Sequence, residues 1–125
     1  MIGGLDDLAD YPAAFVSIRN FPEIKEADKA ALNSSVMAFD AESFGHLFTE
    51  FTPSVMDRLN GDQDWISDRI PNAATFPADW CVSYKVRRYL KLKTIPEDAR
   101  VICYHGKPKP WELPDDDLTG FVIQK

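Results

Sequence analysis

The stretch Val101-Ile102-Cys103-Tyr104-His105-Gly106-Lys107-Pro108-Lys109-Pro110-Trp111 constrains this chain more than any other. An apolar, β-prone run stops at a His-Gly pair. Two lysines follow, each with a proline after it, and then a tryptophan. Proline fixes φ and removes an N–H, so neither a helix nor a sheet ladder continues through it. Glycine lets a backbone approach a ligand closely. The segment predicts a strand whose end carries two cations on a stiff loop. Strand ends in α/β folds are where ligands bind. A plain basic surface loop after a core strand is the other reading of the same residues.

With 125 residues, 45% of them hydrophobic, the chain is one domain or part of one and can bury a core. A net charge of −6 argues against broad electrostatic binding to nucleic acid. The charge is uneven. Lys85, Arg87, Arg88, Lys91, Lys93, Arg100, Lys107 and Lys109 fall in residues 82 to 111, opposed there by only Glu97 and Asp98. The first 70 residues are acidic. One basic segment in an acidic protein is compatible with a small anionic ligand, such as a nucleotide or diphosphate. For Arg87 to Lys93 a solvated helix face explains the charges as well. Cys81 and Cys103 form no C-x-x-C and no zinc-like spacing, and they read as buried thiols rather than a disulfide. That expectation suits a reducing cytoplasm. The start MIGGLDDLAD has neither a basic n-region nor an apolar h-region, and no apolar run is long enough to span a bilayer.

The pattern predicts one helical turn at Leu5 to Leu8 and strands over 13–18 and 33–39, with a polar loop over 20–29 between them. Asp40 is placed to cap a helix from Ala41 to about Phe51, with Phe44, Leu47, Phe48 and Phe51 on its apolar face. Pro53 opens a helix to Leu59, which Asn60-Gly61 ends. Asp62 is the expected cap of a third helix through Ile70. Residues 71–77 read as a loop, 80–84 as a strand, 86–92 as a helical turn or extended segment, 96–100 as a turn and 100–104 as a strand. An acidic tail, Pro114 to Asp117, follows Trp111, and Phe121-Val122-Ile123 has the character to pack back on the domain. The expected domain is 1–113, with 114–125 as the tail. The fold class is mixed α/β, with few strands for an enzyme core.

Three motifs carry chemistry. Asn33, Ser34 and Ser35 are small and polar at a strand mouth, able to hydrogen-bond a sugar or simply to turn. In Gly61-Asp62-Gln63-Asp64, the Asp62 carboxylate has a capping role available, while Gln63 and Asp64 pair an amide with a carboxylate, a combination suited to sugar hydroxyls. His105, Lys107 and Lys109 suit a metal-bound diphosphate, with imidazole on the metal and ammonium on the phosphate oxygens. His46 reads as a surface histidine, and Tyr84-Lys85 receives no role.

In order, Asn-Ser-Ser-Val-Met, Gly-Asp-Gln-Asp and Tyr-His-Gly-Lys-Pro-Lys-Pro-Trp resemble the C-terminal half of GT-A-type glycosyltransferases, in particular the glycogenin and lipopolysaccharide galactosyltransferase superfamily. The resemblance covers about residues 1 to 113. It implies a nucleotide-diphosphate sugar as donor, a glycan acceptor, and Mn²⁺ or Mg²⁺ as cofactor. It matches Lys109 to a lysine on the diphosphate and Gly106 to the glycine three residues before it, with Lys107 and Trp111 in the same substrate-binding loop. Asp62 and Gln63 match a catalytic Asp-Gln pair beside the transferred sugar and acceptor, and Asn33 matches an asparagine near the acceptor. Ser34 and Asp64 join the substrate-binding set. In such enzymes metal and lysine neutralise the departing diphosphate.

The chain departs from the pattern in two places. The position of the family's metal-binding histidine is Cys103, and His105 lies two residues on, on the same face of a strand. The Asp-x-Asp metal motif is absent; only Asp62-Gln63-Asp64 and Asp115 to Asp117 come near it. The opening Gly3-Gly4-Leu5-Asp6-Asp7-Leu8 resembles the segment directly after that motif. The expectation is a GT-A-like mixed sheet with flanking helices, its N-terminal nucleotide-binding half missing. Such a truncated chain is inactive alone and prone to self-association through an exposed sheet edge. The alternatives are a non-catalytic glycan- or anion-binding module and a structural interaction domain.

Overall fold

The computed structural model describes residues 4–21, 32–92, 94–113 and 122–123. The expected loop beyond Phe21, the acidic tail and Phe121 lie outside the described residues. The architecture is mixed α/β with small sheets and short helices. The chain divides into two compact units, residues 6–76 and a second made of residues 1–5 and 77–125.

The 6–76 unit opens with the single turn α1 (Asp6–Ala9), whose two aspartates sit at its positive N-terminal end and whose Leu8 is buried. Strand β1 (Phe15–Arg19) follows, buried from Phe15 to Ile18 on both faces. It is the central strand of a three-stranded sheet, so both of its edges are paired. It pairs antiparallel with β2 (Leu32–Phe39) and parallel with β3 (Ala74–Thr75). The register jumps from Ser17↔Met37 to Ile18↔Asn33, so residues 34–36 bulge out of β2. The Asn33 carboxamide oxygen accepts the Ser35 N–H at 2.9 Å and holds that excursion.

Asp40 is the expected N-cap: its carboxylate accepts the Ser43 N–H at 3.1 Å and the Ser43 hydroxyl. The helix it starts is not one element to Phe51. It is two turns, α2 (Ala41–Phe44) and α3 (His46–Thr49), joined at Gly45. A Cβ at Gly45 would stand 2.9 Å from the Ala41 carbonyl oxygen, so only glycine fits. Phe44, Leu47 and Phe51 pack on the core, but Phe48 is 87% exposed, a correction to the four-residue apolar face. Pro53 opens α4 (Pro53–Met56), which ends three residues before Leu59. Helix α5 (Asp62–Arg69) starts at the residue expected to be its cap, one residue earlier than predicted. Gly61 is the N-cap and Asp62 the first helical residue, so Asp62 is not the cap.

The core of this unit is Phe15, Leu32, Trp65 and Ile66, with Met37, Phe44, Leu47, Phe51 and Val55 against it. The Trp65 indole N–H donates to the Leu47 carbonyl at 3.0 Å, which ties α5 to α3. Arg69 lies 5.1 Å from the Trp65 ring and pairs with Glu50. Residues 71–77 are not all loop. Two of them form β3, and the Phe76 N–H donates to the Ser17 carbonyl at 2.9 Å.

In the second unit, β4 (Cys81–Ser83) leads directly into α6 (Tyr84–Tyr89), which resolves the ambiguity at 86–92 in favour of a helix beginning two residues earlier. The two-residue β5 (Thr94–Ile95) and then β6 (Val101–Cys103) follow. Parallel strands need a crossover, and α6 with β5 supplies it between β4 and β6. Val82, Ile95 and Ala99 form a small core, with Ile102 against it. The Trp80 carbonyl accepts two N–H groups, from Arg100 at 2.7 Å and Val101 at 3.0 Å, which pins the start of β6 beside β4. Val122 and Ile123 form β7, parallel to β5, so the expected return of the C-terminal apolar residues is present. Among the described residues, no helix is long and apolar enough to cross a membrane.

Candidate functional site

Strands β4 and β6 run parallel in the register Cys81↔Val101, Val82↔Ile102, Ser83↔Cys103, and both end there. The next residues continue the match. Tyr84 and Tyr104 stack at 4.8 Å between ring centroids. Ser83-Tyr84 and Cys103-Tyr104 thus lie side by side at the carboxyl ends of adjacent parallel strands.

The Ser83 hydroxyl oxygen accepts the Val86 N–H at 3.3 Å as the N-cap of α6 and lies 3.5 Å from His105 Nδ1. Arg88 donates to the Tyr84 hydroxyl at 2.9 Å and so fixes the stacked ring from below. His105 is half-buried. Burial holds its imidazole below the usual histidine range, and the Lys109 and Lys85 ammonium groups push it the same way. At neutral pH the ring is therefore neutral while the cations around it are charged.

The loop after His105 turns at Gly106, whose φ of +65° is a left-handed conformation that favours glycine; the space around it is open. The Lys107-Pro108 peptide is cis. Lys109 precedes a 3₁₀ turn over Pro110–Glu112, and Glu112 accepts the Lys109 backbone N–H at 2.8 Å. That bond fixes the Lys109 backbone. Lys107 is exposed, and Trp111 presents its indole outward at 80% exposure. Of the residues expected in this loop, the structure gathers His105 and Lys109, and it adds Lys85 and Ser83. Sequence reasoning left Tyr84-Lys85 without a role because the β4–β6 pairing that brings Tyr84 against Tyr104 is not visible locally.

Among the described residues, no three His, Cys, Asp or Glu side chains gather in a way that could hold a metal ion. The Cys103 thiol is buried and pushed up to about 11, and Cys81 up to about 12, both by burial, with Cys103 adding to the effect at Cys81. A thiol binds metal as thiolate, so neither is primed to do so. The groups whose charges reach His105 are ammoniums, not carboxylates. The described residues do not fit Mn²⁺ or Mg²⁺ at His105.

The remaining candidates lie in the 6–76 unit and make local bonds. The Asn33 side chain is engaged within the β2 bulge, and Ser34 sits partly buried on that bulge. The Asp64 carboxylate accepts the Asn60 N–H at 3.2 Å, across the start of α5. Asp62 is exposed on the rim of an apolar groove of about 180 Å³ whose walls include Phe39, Leu47, Phe48 and Phe51. The Gln63 carbonyl oxygen is buried without a hydrogen-bond partner, as is the Ser67 hydroxyl one turn on. Asp62 and Gln63 thus hold polar capacity that the fold leaves unused.

No protein-family model, no curated protein and no solved structure matches this chain.

Proposed function

We propose that this chain is part of a GT-A-like glycosyltransferase and that its β4–β6 end binds the diphosphate of a nucleotide-diphosphate sugar. The observation that carries the reading is half-buried His105 beside Ser83, at a glycine turn where two parallel strands end, with the charges of Lys109 and Lys85 acting on its ring. Lysine binds phosphate as a point charge. The left-handed Gly106 leaves open space on its Cβ side of the turn. Asp62 and Gln63, in the 6–76 unit, are the proposed catalytic pair by the same resemblance. The neutral His105 supplies a ring nitrogen for a hydrogen bond rather than a charge. Ammonium groups, ready before the ligand arrives, would stabilise a departing diphosphate electrostatically. Two buried free thiols suit the reducing cytoplasm proposed for it.

Isothermal titration of the chain with UDP, GDP and their sugar conjugates tests the reading. Binding is expected, and Lys109→Ala should weaken it about tenfold, the scale of one hydrogen bond to a charged group. Equal affinity in the wild type and in Lys109→Ala would refute the assignment. A second reading, a non-catalytic glycan-binding module, is favoured by the outward indole of Trp111. Under that reading Trp111→Ala would abolish binding of an oligosaccharide while free nucleotides would not bind.

A further inference from the structure

We infer that residues 85–92 form a membrane-surface contact, in which Lys85, Arg88 and Lys91 meet the headgroups of anionic lipids while Tyr89, Leu90 and Leu92 enter the apolar boundary beneath them. Such a contact holds the chain on a bilayer without crossing it, whether or not the β4–β6 end binds a sugar nucleotide.

Charge and apolar exposure coincide in this stretch. Residues 80–96 contain Lys85, Arg87, Arg88, Lys91 and Lys93 and no Asp or Glu, in a chain whose net charge is −6. Tyr84 and Val86 are the buried side of α6, whereas every residue from Arg88 to Leu92 is exposed. Tyr89 is 70% exposed, Leu90 45% and Leu92 41%. Single exposed apolar side chains are ordinary, but these stand almost next to one another and make a patch. Lys85, Arg88 and Tyr89 are spaced i, i+3 and i+4, on one face of the helix. Arg88 is held there by its bond to the Tyr84 hydroxyl. Arg87 is part-buried and under the charge of Asp79, so it contributes less.

The helix ends on a left-handed residue. The Leu92 N–H donates to the Arg87 carbonyl at 2.9 Å and the Lys91 N–H to the Arg88 carbonyl at 3.0 Å, closing the helix over Lys91, whose φ is +55°. Glycine takes that position without strain, and lysine does not. Cations near a helix C-terminus complement its carbonyls, which accounts for the charges of Arg88 and Lys91 but not for the leucines on either side of Lys91. A nucleic acid would use the cations and stack on Tyr89, and it has no use for aliphatic side chains. A lipid surface uses both: the charged ends reach the headgroups while their stems and the apolar neighbours lie deeper. It also demands no matching shape from the protein.

Flotation of the full 125-residue chain with vesicles of phosphatidylcholine alone, and of equal parts phosphatidylcholine and phosphatidylserine, tests this directly. Binding to the anionic vesicles is expected, at least about tenfold stronger than to the neutral ones. Lys91→Gly removes the charge and puts a residue that favours the left-handed turn in its place, so it should fold at least as stably and bind about fivefold more weakly. Leu90→Ser with Leu92→Ser should lose about tenfold or more. Arg58→Ala, which removes an exposed cation from the 6–76 unit, controls for net charge and should change binding less than about twofold. Circular dichroism of each variant checks folding. Absence of binding, or equal binding to the two vesicle types, would overturn the inference, as would unchanged binding in folded Lys91→Gly. Loss in Lys91→Gly but not in the leucine pair would also overturn it, because a nucleic acid or an acidic protein would then serve as well. Tighter binding to polyglutamate or to a single-stranded oligonucleotide than to the anionic vesicles would overturn the lipid assignment in favour of that partner.

Discussion

The two units bury their apolar side chains in different ways. Residues 6–76 surround a strand buried on both faces with aromatic rings: Phe15 lies 5.3 Å from Phe44 and 5.7 Å from Phe39, and Phe51 5.9 Å from Trp65. Residues 77–113 rest on a much smaller cluster, Val82, Ile95, Ala99 and Ile102, under a sheet of three paired positions. Acidic side chains outnumber basic ones in the first unit, whereas the cations of the second gather along 82–111. Large aromatic burial gives one unit its stability. In the other, short parallel strands act as a bracket that sets a few charged groups at fixed positions. Loops on a rigid support are where binding residues concentrate.

The largest expected effect tests the aromatic unit. Trp65→Ala removes a buried indole and leaves the Leu47 carbonyl without its partner. It should lower stability by about 3–5 kcal/mol, measured by urea denaturation. A loss below about 1 kcal/mol would mean that the aromatic core is not where this unit's stability lies. In the second unit, Cys81 and Cys103 stay protonated in the fold. Their alkylation by iodoacetamide at pH 8 should be at least about a hundredfold slower in native protein than in urea-unfolded protein. Because their folded values lie above the unfolded one, their contribution to stability is whole below the ordinary thiol range and is lost as pH rises from there to the folded values of about 11 and about 12.

The smallest effect belongs to His105 and has the opposite sense. Its folded value lies below the usual 6.5, so in the interval beneath 6.5 the unfolded chain binds the extra proton. Its contribution is present above 6.5 and is lost as pH falls from there to the folded value. The urea midpoint of the wild type should therefore fall more between pH 7.5 and pH 5.5 than that of His105→Gln. Equal falls would show that His105 does not feel its surroundings as described.

Much of the first unit was legible because its signals are local. The apolar runs around Phe15 and Val36, the cap at Asp40 and the proline at Pro53 each act within a few residues, and each marks an element of the fold. What was missed depended on distant partners. Strands β3 and β5 have two residues each, too few to show a period, and exist through pairing with β1 and β7. The split at Gly45 and the outward Phe48 are not revealed by spacing alone. The loop holding His105 and Lys109 was readable from Gly and Pro chemistry. The approach of Ser83 to His105 was not, because nothing near Ser83 in sequence says which residue lies across the strand pair. The resemblance that motivated the metal named a histidine position that here is Cys103, and the cations found around His105 are a property of the fold, not of the motif.

Ser83 has a single hydroxyl that serves two neighbours. Its oxygen accepts the Val86 N–H, and His105 Nδ1 stands 3.5 Å away. A hydroxyl has one proton to give and two lone pairs to receive. When Nδ1 is bare, Ser83 can donate to it; when Nδ1 carries hydrogen, the second lone pair can receive it. In both cases the first lone pair remains on Val86. The oxygen thus reverses the polarity of one contact without surrendering the other, and α6 keeps its first turn through a change of charge on the ring beside it.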